Sequence, residues 1–257
     1  MLASIIIPVY NGRKFIKKTI DSCLAQTIKD KEIIVIDDCS TENADDIIKL
    51  YEDNDNFYYI KNKKNLGSIK NCNKAAEMAK GKYLIFLGQD DMLPPEHLQK
   101  MIEKFENDTS FVYCDNILID ENDDKIGEGI MPDDLNLYIL SMYCISSCGV
   151  VVSHEKFDYV SGFREIENGP MYGEWTLWID LLSVGLAKKC QESKSMYRRH
   201  ENNITNTFND KKKNPALYKY HAYCRRLAFK RGELTFIQKL HFVYNYFKCS
   251  YRYHFMR

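Results

Sequence analysis

The residues best equipped for chemistry in this sequence are acids that fall at the ends of apolar runs. Tyr83-Leu84-Ile85-Phe86-Leu87 has the length and composition of a buried strand, and it delivers Gly88-Gln89-Asp90-Asp91, with Pro94-Pro95 soon after. Two adjacent carboxylates at a strand end suit Mg²⁺ or Mn²⁺, hard ions that take oxygen ligands and usually arrive with substrate phosphates. A strand followed by a solvated acidic turn has the same composition. Ile33-Ile34-Val35-Ile36 repeats the pattern and ends on Asp37-Asp38. Glu174 stands beside Trp175 and Trp178, and His200 follows Arg198 and Arg199. Each of these has a plainer use as well. Asp38 can cap a helix, Glu174 can complement a helix N-terminus, and His200 and Lys70 can be ordinary surface residues.

Several chemistries find no support. GxGxxG and GxxxxGK[ST] are both missing, so the dinucleotide and P-loop readings lapse. No GxSxG elbow occurs, and the six histidines form no HExxH pair. Asp120, Asn122 and Asp124 imitate a calcium loop, but Lys125 and Met131 occupy the places of its glycine and closing glutamate, which favours a hairpin turn. Nine cysteines without a CxxC read as reduced thiols in a cytoplasmic protein. The start, Met1-Leu2-Ala3-Ser4, enters a strand directly, and no apolar run reaches the length of a membrane span.

The elements that must position these acids alternate regularly. Ser4 to Val9 is a continuously apolar, β-branched segment of the kind covered on both faces in a parallel sheet. Tyr10-Asn11-Gly12 turns the chain into a helix carrying Ile16, Ile20, Cys23 and Leu24. After the Glu32 to Asp38 strand, Ser40 or Thr41 is expected to cap a helix through Ile47, Ile48 and Tyr51. Phe57 to Ile60 gives a third strand, and Ser68 is expected to cap a helix through Ala75, Ala76 and Ala79 that stops at Gly81. Beyond the acid pair, Pro94-Pro95 opens a helix with Leu98, Met101, Ile102 and Phe105 inward. Phe111 to Ile119 and Ser146 to Ser153 read as strands, and Glu174 to Leu182 as a helix. The alternation implies βαβ units and a mostly parallel sheet, whose ligands bind beyond the carboxyl ends of the strands.

At 257 residues, 45% hydrophobic and 28% charged, the chain suits one large α/β domain with a helical appendage. Its net charge of zero conceals an asymmetry: residues 198–257 carry 14 Lys and Arg against 3 Asp and Glu, and residues 1–197 carry 22 against 33. From Pro215 onward the pattern is helical, basic and rich in Tyr and Phe. Packing on the core explains it, and so does docking on an anionic membrane surface. No RNA-binding motif accompanies it, so nucleic acid is not expected as a partner.

In order along the chain, Ser4-Ile5-Ile6-Ile7-Pro8-Val9-Tyr10-Asn11-Gly12, Ile36-Asp37-Asp38-Cys39-Ser40-Thr41, Asn65-Leu66-Gly67 with Lys70-Asn71, and Phe86-Leu87-Gly88-Gln89-Asp90-Asp91 resemble the N-terminal motifs of family-2 glycosyltransferases. Ser161-Gly162-Phe163, Gly173-Glu174-Trp175-Thr176-Leu177-Trp178 and Tyr197-Arg198-Arg199-His200 resemble that family's later elements. The resemblance implies the GT-A fold, a Rossmann-like, mostly parallel sheet flanked by helices. Residues 1–205 would form the transferase domain, with 1–115 the nucleotide half and 116–205 the acceptor half. Residues 206–257 would be a basic helical extension.

The resemblance also implies roles. Pro8, Tyr10 and Asp38 would line the base pocket, with Asp38 hydrogen-bonding a uracil or similar ring, Lys70 would stand near the diphosphate, and Asn11, Gly67 and Asn71 would also bind the nucleotide sugar. Asp90 would serve ribose and metal, Asp91 the metal, and His200 the metal or diphosphate. Glu174 would be the base that takes the acceptor hydroxyl's proton. The implied activity is inverting transfer of one sugar from a nucleotide-diphosphate donor, UDP-linked by preference, to a glycan or polyprenyl-linked glycan, with Mn²⁺ or Mg²⁺. Direct displacement agrees with this, because a leaving diphosphate must be neutralised and the attacking oxygen needs a base on the opposite face. The family's first metal-binding acid is Gly88 here, and its usual aspartate base is Glu174. QxxRW, the mark of processive synthases, is missing. A nucleotidyltransferase on a similar sheet, and a nucleotide-sugar-binding module without turnover, remain as alternatives.

Overall fold

A computed structural model describes residues 1–165, 173–203, 206, 215–232, 235, 237–240 and 243–244. Its frame is an eight-stranded sheet in the order β3-β2-β1-β4-β7-β5-β6, with β8 pairing β5. β1 (Ala3–Val9), β2 (Lys31–Asp37), β3 (Phe57–Lys61) and β4 (Tyr83–Phe86) run parallel. β5 (Thr109–Ile119), β6 (Lys125–Gly129) and β7 (Val151–Ser153) join antiparallel, and β8 (Leu186–Arg198) runs parallel to β5.

The continuously apolar strands are explained by two cores. Ile5, Ile7, Ile33 and Val35 face one layer with Ile16, Ile20 and Cys23 of α1 (Ile16–Leu24) and Leu98 and Met101 of α4 (His97–Ile102). Ile6, Ile34 and Ile36 face the other, with Cys72, Ala75 and Ala76 of α3 (Ser68–Met78) and the apolar residues of α7 (Glu174–Leu182). Alternate residues of one strand thus fill opposite layers, so a polar residue anywhere along β1 or β2 would be buried. The second core also receives Tyr220, Cys224 and Ala228 of α8 (Pro215–Arg231), which packs on α7 and on α5 (Leu137–Leu140). α2 (Asp45–Ile48), continued by a 3-10 turn at Lys49–Tyr51, and α6 (His154–Tyr159) are two further short helices.

Several local expectations need correcting. Neither Ser40 nor Thr41 caps α2, whose N-cap is Ala44. The Ser40 hydroxyl accepts the Asn11 backbone N–H at 2.9 Å, and the Thr41 backbone N–H donates to Asn11 Oδ1 at 2.9 Å, so both residues tie two loops together. Gly67, at φ +88°, is the N-cap of α3, and Ser68 is its first helical residue. α4 starts at His97, after Pro94-Pro95, and leaves out Phe105. The strand expected from Ser146 is only Val151–Ser153, because residues 147–150 form a turn closed by Val150 N–H to the Ser147 carbonyl. β8 was not expected at all. Its pairing with β5 shifts register between Cys114 and Asp115, which leaves residues 191–193 without partners on β5 and destroys the period-two signal.

The eight cysteines among the described residues are free. No helix among those residues is long and apolar enough to cross a membrane. Half of the extension from residue 206, including all of 245–257 where the basic aromatic pattern ends, lies outside the described residues.

Candidate active site

Parallel pairing in register Val9 with Asp37, and Ile6 with Phe86, brings the carboxyl ends of β1, β2 and β4 to one edge of the sheet. Tyr10-Asn11, Asp37-Asp38 and Gly88-Gln89-Asp90-Asp91 therefore emerge side by side. Gln89 joins the first and third of these loops: its Oε1 accepts the Tyr10 N–H at 2.8 Å and its Nε2 donates to the Tyr10 carbonyl at 3.1 Å. Asn11 joins the first and second, with Oδ1 accepting from the backbone of Thr41 and Glu42. Asn11 at φ +51° and Cys39 at φ +64° hold left-handed conformations here, the local strain that loop contacts of this kind sustain.

Pro8 lies within β1 opposite Ile36, and Tyr10 extends into solvent at 46% exposure, its ring open to a ligand. Asp38 is buried. Its Oδ1 accepts the Leu66 N–H at 2.7 Å and the Asn62 amide at 3.2 Å, and its Oδ2 accepts the Gly67 N–H at 2.8 Å. Burial works to raise this carboxyl, but the Asn71 side chain, the two backbone amides and Asn62 outweigh it and hold Asp38 below the usual range. Asp38 thereby anchors the Asn65-Leu66-Gly67 loop and sets the start of α3. Asn71, fully buried, accepts from Asn62 Nδ2 at 2.7 Å. Lys70 is half-exposed and stands 3.5 Å from Glu165.

Asp90 and Asp91 converge. A Cβ placed on Gly88 would stand 2.9 Å from Asp90 Oδ1 and 2.8 Å from Asp91 Oδ2, so the two oxygens share the space that glycine leaves open. The other oxygens are held from behind. Asp90 Oδ2 takes His200 Nε2 at 2.7 Å and Asn203 Nδ2 at 3.0 Å. Asp91 Oδ1 accepts the Arg198 N–H at 2.9 Å. Burial, and then the charge of Asp90, push the Asp91 carboxyl well up, while the Arg198 amide and the Cys148 thiol pull the other way. His200 and Arg198 arrive here because β8 ends beside β5 and because Met92 bridges Met196 antiparallel.

The shared space over Gly88 is the test of a divalent ion, and the residues present fit one. Two carboxylate oxygens point into it, and an ion held so sparsely leaves positions for diphosphate oxygens. His200 supports Asp90 rather than pointing into that space. No group of three or more His, Cys, Asp or Glu suited to a metal occurs among the described residues.

Glu174 opens α7 behind Gly173, whose α-carbon faces Ile69 near the start of α3. Its carboxyl is raised to about 7 by desolvation, against the pull of its own backbone N–H and of the Ser147 hydroxyl. Ser147 and Cys148 are consecutive, about 3.8 Å apart at Cα. The Ser147 hydroxyl acts on the Glu174 carboxyl and the Cys148 thiol on that of Asp91, lowering each, and the thiol itself donates to the Met196 carbonyl at 3.7 Å. The tight turn at residues 147–150 thus places the raised carboxylate and the acid pair on one site. His97 holds that turn: buried and neutral, it donates from Nε2 to the Gly149 carbonyl at 2.7 Å. Phe163 of the Ser-Gly-Phe motif packs edge-on against Phe86 at 4.8 Å and exchanges two hydrogen bonds with Asn73, both at 2.9 Å.

The sequence profile described as "Glycosyl transferase family 2" matches residues 4–165. The chain belongs to that family. An uncharacterized glycosyltransferase of Rickettsia typhi is 32% identical over 217 residues, covering 80% of this chain and 66% of that protein. The chain spans about two thirds of the length of this relative. WfaP of Escherichia coli, a UDP-Glc:alpha-D-GlcNAc-diphosphoundecaprenol beta-1,3-glucosyltransferase, is 30% identical over 207 residues, 79% of this chain and 80% of WfaP. TuaG of Bacillus subtilis, a putative teichuronic acid biosynthesis glycosyltransferase, is 29% identical over 92% of this chain and 94% of TuaG. Among solved structures, Staphylococcus aureus TarS residues 1–349 with UDP-GlcNAc superposes with a TM-score of 0.74 at 16% identity, covering 97% of this chain and 72% of that one. The mannosyltransferase PcManGT of Pyrobaculum calidifontis, in complex with GDP-Man and Mn²⁺, gives 0.61 at 12% identity, over 99% and 84% of the two chains. The fold is the mixed α/β fold of GT-A glycosyltransferases, with a central sheet flanked by helices.

Arg198, Asn203, Gln89, Ser147 and Cys148 were not singled out from sequence. Gln89 and Arg198 stand inside the quoted motifs, which was their only signal, and Asn203 lies three residues beyond His200, whose backbone N–H it accepts.

Proposed function

We propose that this protein transfers a single hexose or N-acetylhexosamine, with inversion, from a nucleotide-diphosphate donor to a glycan or lipid-linked glycan during cell-surface polysaccharide synthesis. The observation that carries the reading is the convergence of Asp90 Oδ1 and Asp91 Oδ2 over Gly88, with Glu174 joined to them through the Ser147-Cys148 turn. The donor named for WfaP and the ligand of TarS support UDP as the nucleotide.

Pro8, Tyr10 and Asn11 would receive the base and ribose at the end of β1. Asp38 shapes the other wall by holding Leu66 and Gly67, and its remaining lone pairs can accept a base N–H. The N-terminus of α3, uncapped by any side chain, presents backbone N–H groups toward the diphosphate, beside Lys70 and Asn71. Asp90 and Asp91 would hold Mn²⁺ or Mg²⁺, which when bound neutralises charge on the leaving diphosphate. Glu174, with a carboxyl near 7, is poised to accept a proton from the acceptor hydroxyl as that oxygen attacks the anomeric carbon. Attack from the face opposite the diphosphate gives inversion. His200 would keep Asp90 oriented through its hydrogen bond to Oδ2. Gly88, the departure from the family pattern, is what lets the two acids approach one point.

The same reading carries two proposals of place. Residues 1–115 would serve the donor and 116–205 the acceptor. The basic extension would dock the protein on the inner face of the cell membrane, where a polyprenyl-linked acceptor resides. Release of nucleoside diphosphate from a panel of UDP- and GDP-sugars, with and without glycan acceptors, tests the function. Turnover that EDTA and Asp91→Ala both abolish is expected, and turnover insensitive to both would overturn the metal-assisted mechanism.

A further inference from the structure

Arg198 is fully buried, at 0% exposure, although it is a cation. Removing a guanidinium from water costs several kcal/mol unless its donors are met, and buried ion pairs can often be replaced by apolar residues without loss of stability. Its contacts are specific. The backbone N–H donates to Asp91 Oδ1 at 2.9 Å, Nε donates to the Asp90 carbonyl at 2.8 Å, and Nη1 donates to the Asp120 carbonyl at 2.6 Å. Nη1 also stands 2.6 Å from Asp123 Oδ1, and the guanidinium lies 4.7 Å from the Phe15 ring centroid. The Arg198 carbonyl accepts from Asn203 Nδ2 at 3.1 Å, the same amide that donates to Asp90 Oδ2. Phe15 meets the His200 ring on its other contact, at 5.0 Å. The main-chain N–H thus holds the Asp91 carboxylate, while the guanidinium holds the Asp90 main chain, the β5–β6 hairpin and the Phe15 ring at the start of α1. Nη2 has no hydrogen-bond partner among the described residues, so the arginine is not there because its burial is free of penalty.

We propose that Arg198 is a positioning residue: its guanidinium holds the Asp90 main chain against the hairpin at Asp120 and Asp123, and so keeps the Asp90–Asp91 pair in the arrangement that binds a divalent cation. The proposal rests on the metal reading of the acid pair. A forked, planar donor set is needed, because Nε and Nη1 act on two carbonyls of different segments at once. A lysine offers a single ammonium and cannot span them.

The test is direct Mn²⁺ binding to the full chain, followed by electron paramagnetic resonance of free Mn²⁺ without and with UDP, for the wild type, Arg198→Lys and Asp123→Asn. Melting temperatures are read in parallel. Arg198→Lys is expected to weaken Mn²⁺ binding by about 10- to 100-fold, the range for residues that orient metal ligands. Asp123→Asn, at a partly exposed position that asparagine tolerates at φ +75°, is expected to weaken it in the same direction by less. A merely structural arginine would lower the melting temperature and leave the Mn²⁺ affinity unmoved. Wild-type affinity in folded Arg198→Lys overturns the proposal, as does wild-type affinity in Asp123→Asn if Arg198→Lys does not fold. Failure of the wild type to bind Mn²⁺ under either condition overturns the metal reading and the proposal together, so the two failures are told apart.

Discussion

Asp90 and Asp91 are neighbours in sequence with unlike surroundings. Asp90 is backed by His200 and Asn203, whereas Asp91 is buried against a backbone amide and a thiol. Both still turn one oxygen toward Gly88, so the glycine is as much a part of the pair as the acids. Gly88→Ala puts a methyl group where those oxygens meet and should displace them. Transfer activity is expected to fall about 10²-fold, the cost of a small misplacement at a reacting centre. A steady-state assay at saturating Mn²⁺ checks this. Glu174 makes a sharper pair of predictions. Glu174→Gln should lower kcat by roughly 10²- to 10⁴-fold while nucleoside diphosphate still binds, as calorimetry would show. In the wild type, kcat/KM should rise with pH through about 7 as the carboxyl ionises, and then level off. The same raised carboxyl binds its proton more tightly folded than unfolded, so its contribution to stability is lost as pH rises from the ordinary glutamate range through about 7. Glu174→Gln should therefore melt above the wild type at pH 8 and lose that advantage near pH 5.

The elements that carry the site differ in how plainly the sequence announces them. β1, β2 and β4 are legible because burial on both faces demands unbroken apolar runs, and the acids at their ends follow from the parallel arrangement. β8 is illegible because three residues loop out of its register with β5, and it is β8 that delivers Arg198 and His200. The turn at residues 147–150 is also hidden. Ser147 and Cys148 owe their importance to tertiary contacts with Glu174 and Asp91, and nothing in Ser146-Ser147-Cys148-Gly149 distinguishes it from a polar loop. Likewise Ser40 and Thr41 look like caps and serve instead as partners of Asn11. The turn depends on His97, whose burial pushes it down to about 4. The unfolded chain takes up a proton there that the folded chain refuses, so stability is present above the ordinary histidine range and lost as pH falls through about 4. Acid unfolding of His97→Gln should be shallower over that window, which a pH series of thermal melts reads. α8 is not separable from the core either. Tyr220, Cys224 and Ala228 are buried against α5 and α7, and Arg225 donates to the Ser141 and Met142 carbonyls at 3.0 and 3.2 Å. Tyr220→Ala should cost about 3 kcal/mol, by analogy with large aromatic truncations, measurable by urea unfolding.

At the scale of the whole molecule, the charge asymmetry and the sheet edge point to one arrangement. In the proposed function the acidic body would carry the cation and the donor, and the basic extension would face an anionic surface. Because α8 belongs to the core, truncation before Pro215 would damage the fold as well as the extension. Reversing the charge of Lys211, Lys212 and Lys213 to Glu is the cleaner variant. The wild type is expected to sediment with anionic liposomes and the triple variant to stay in solution, and equal partitioning would count against membrane docking. The central claim concerns the acid pair itself. It is tested most directly by a crystal structure of the full chain with UDP and Mn²⁺, with the ion located from its anomalous signal. The account predicts Mn²⁺ over Gly88, bound by Asp90 Oδ1 and Asp91 Oδ2 and by the diphosphate, with the uracil beside Tyr10. Mn²⁺ or UDP bound away from the carboxyl ends of β1, β2 and β4 would contradict it.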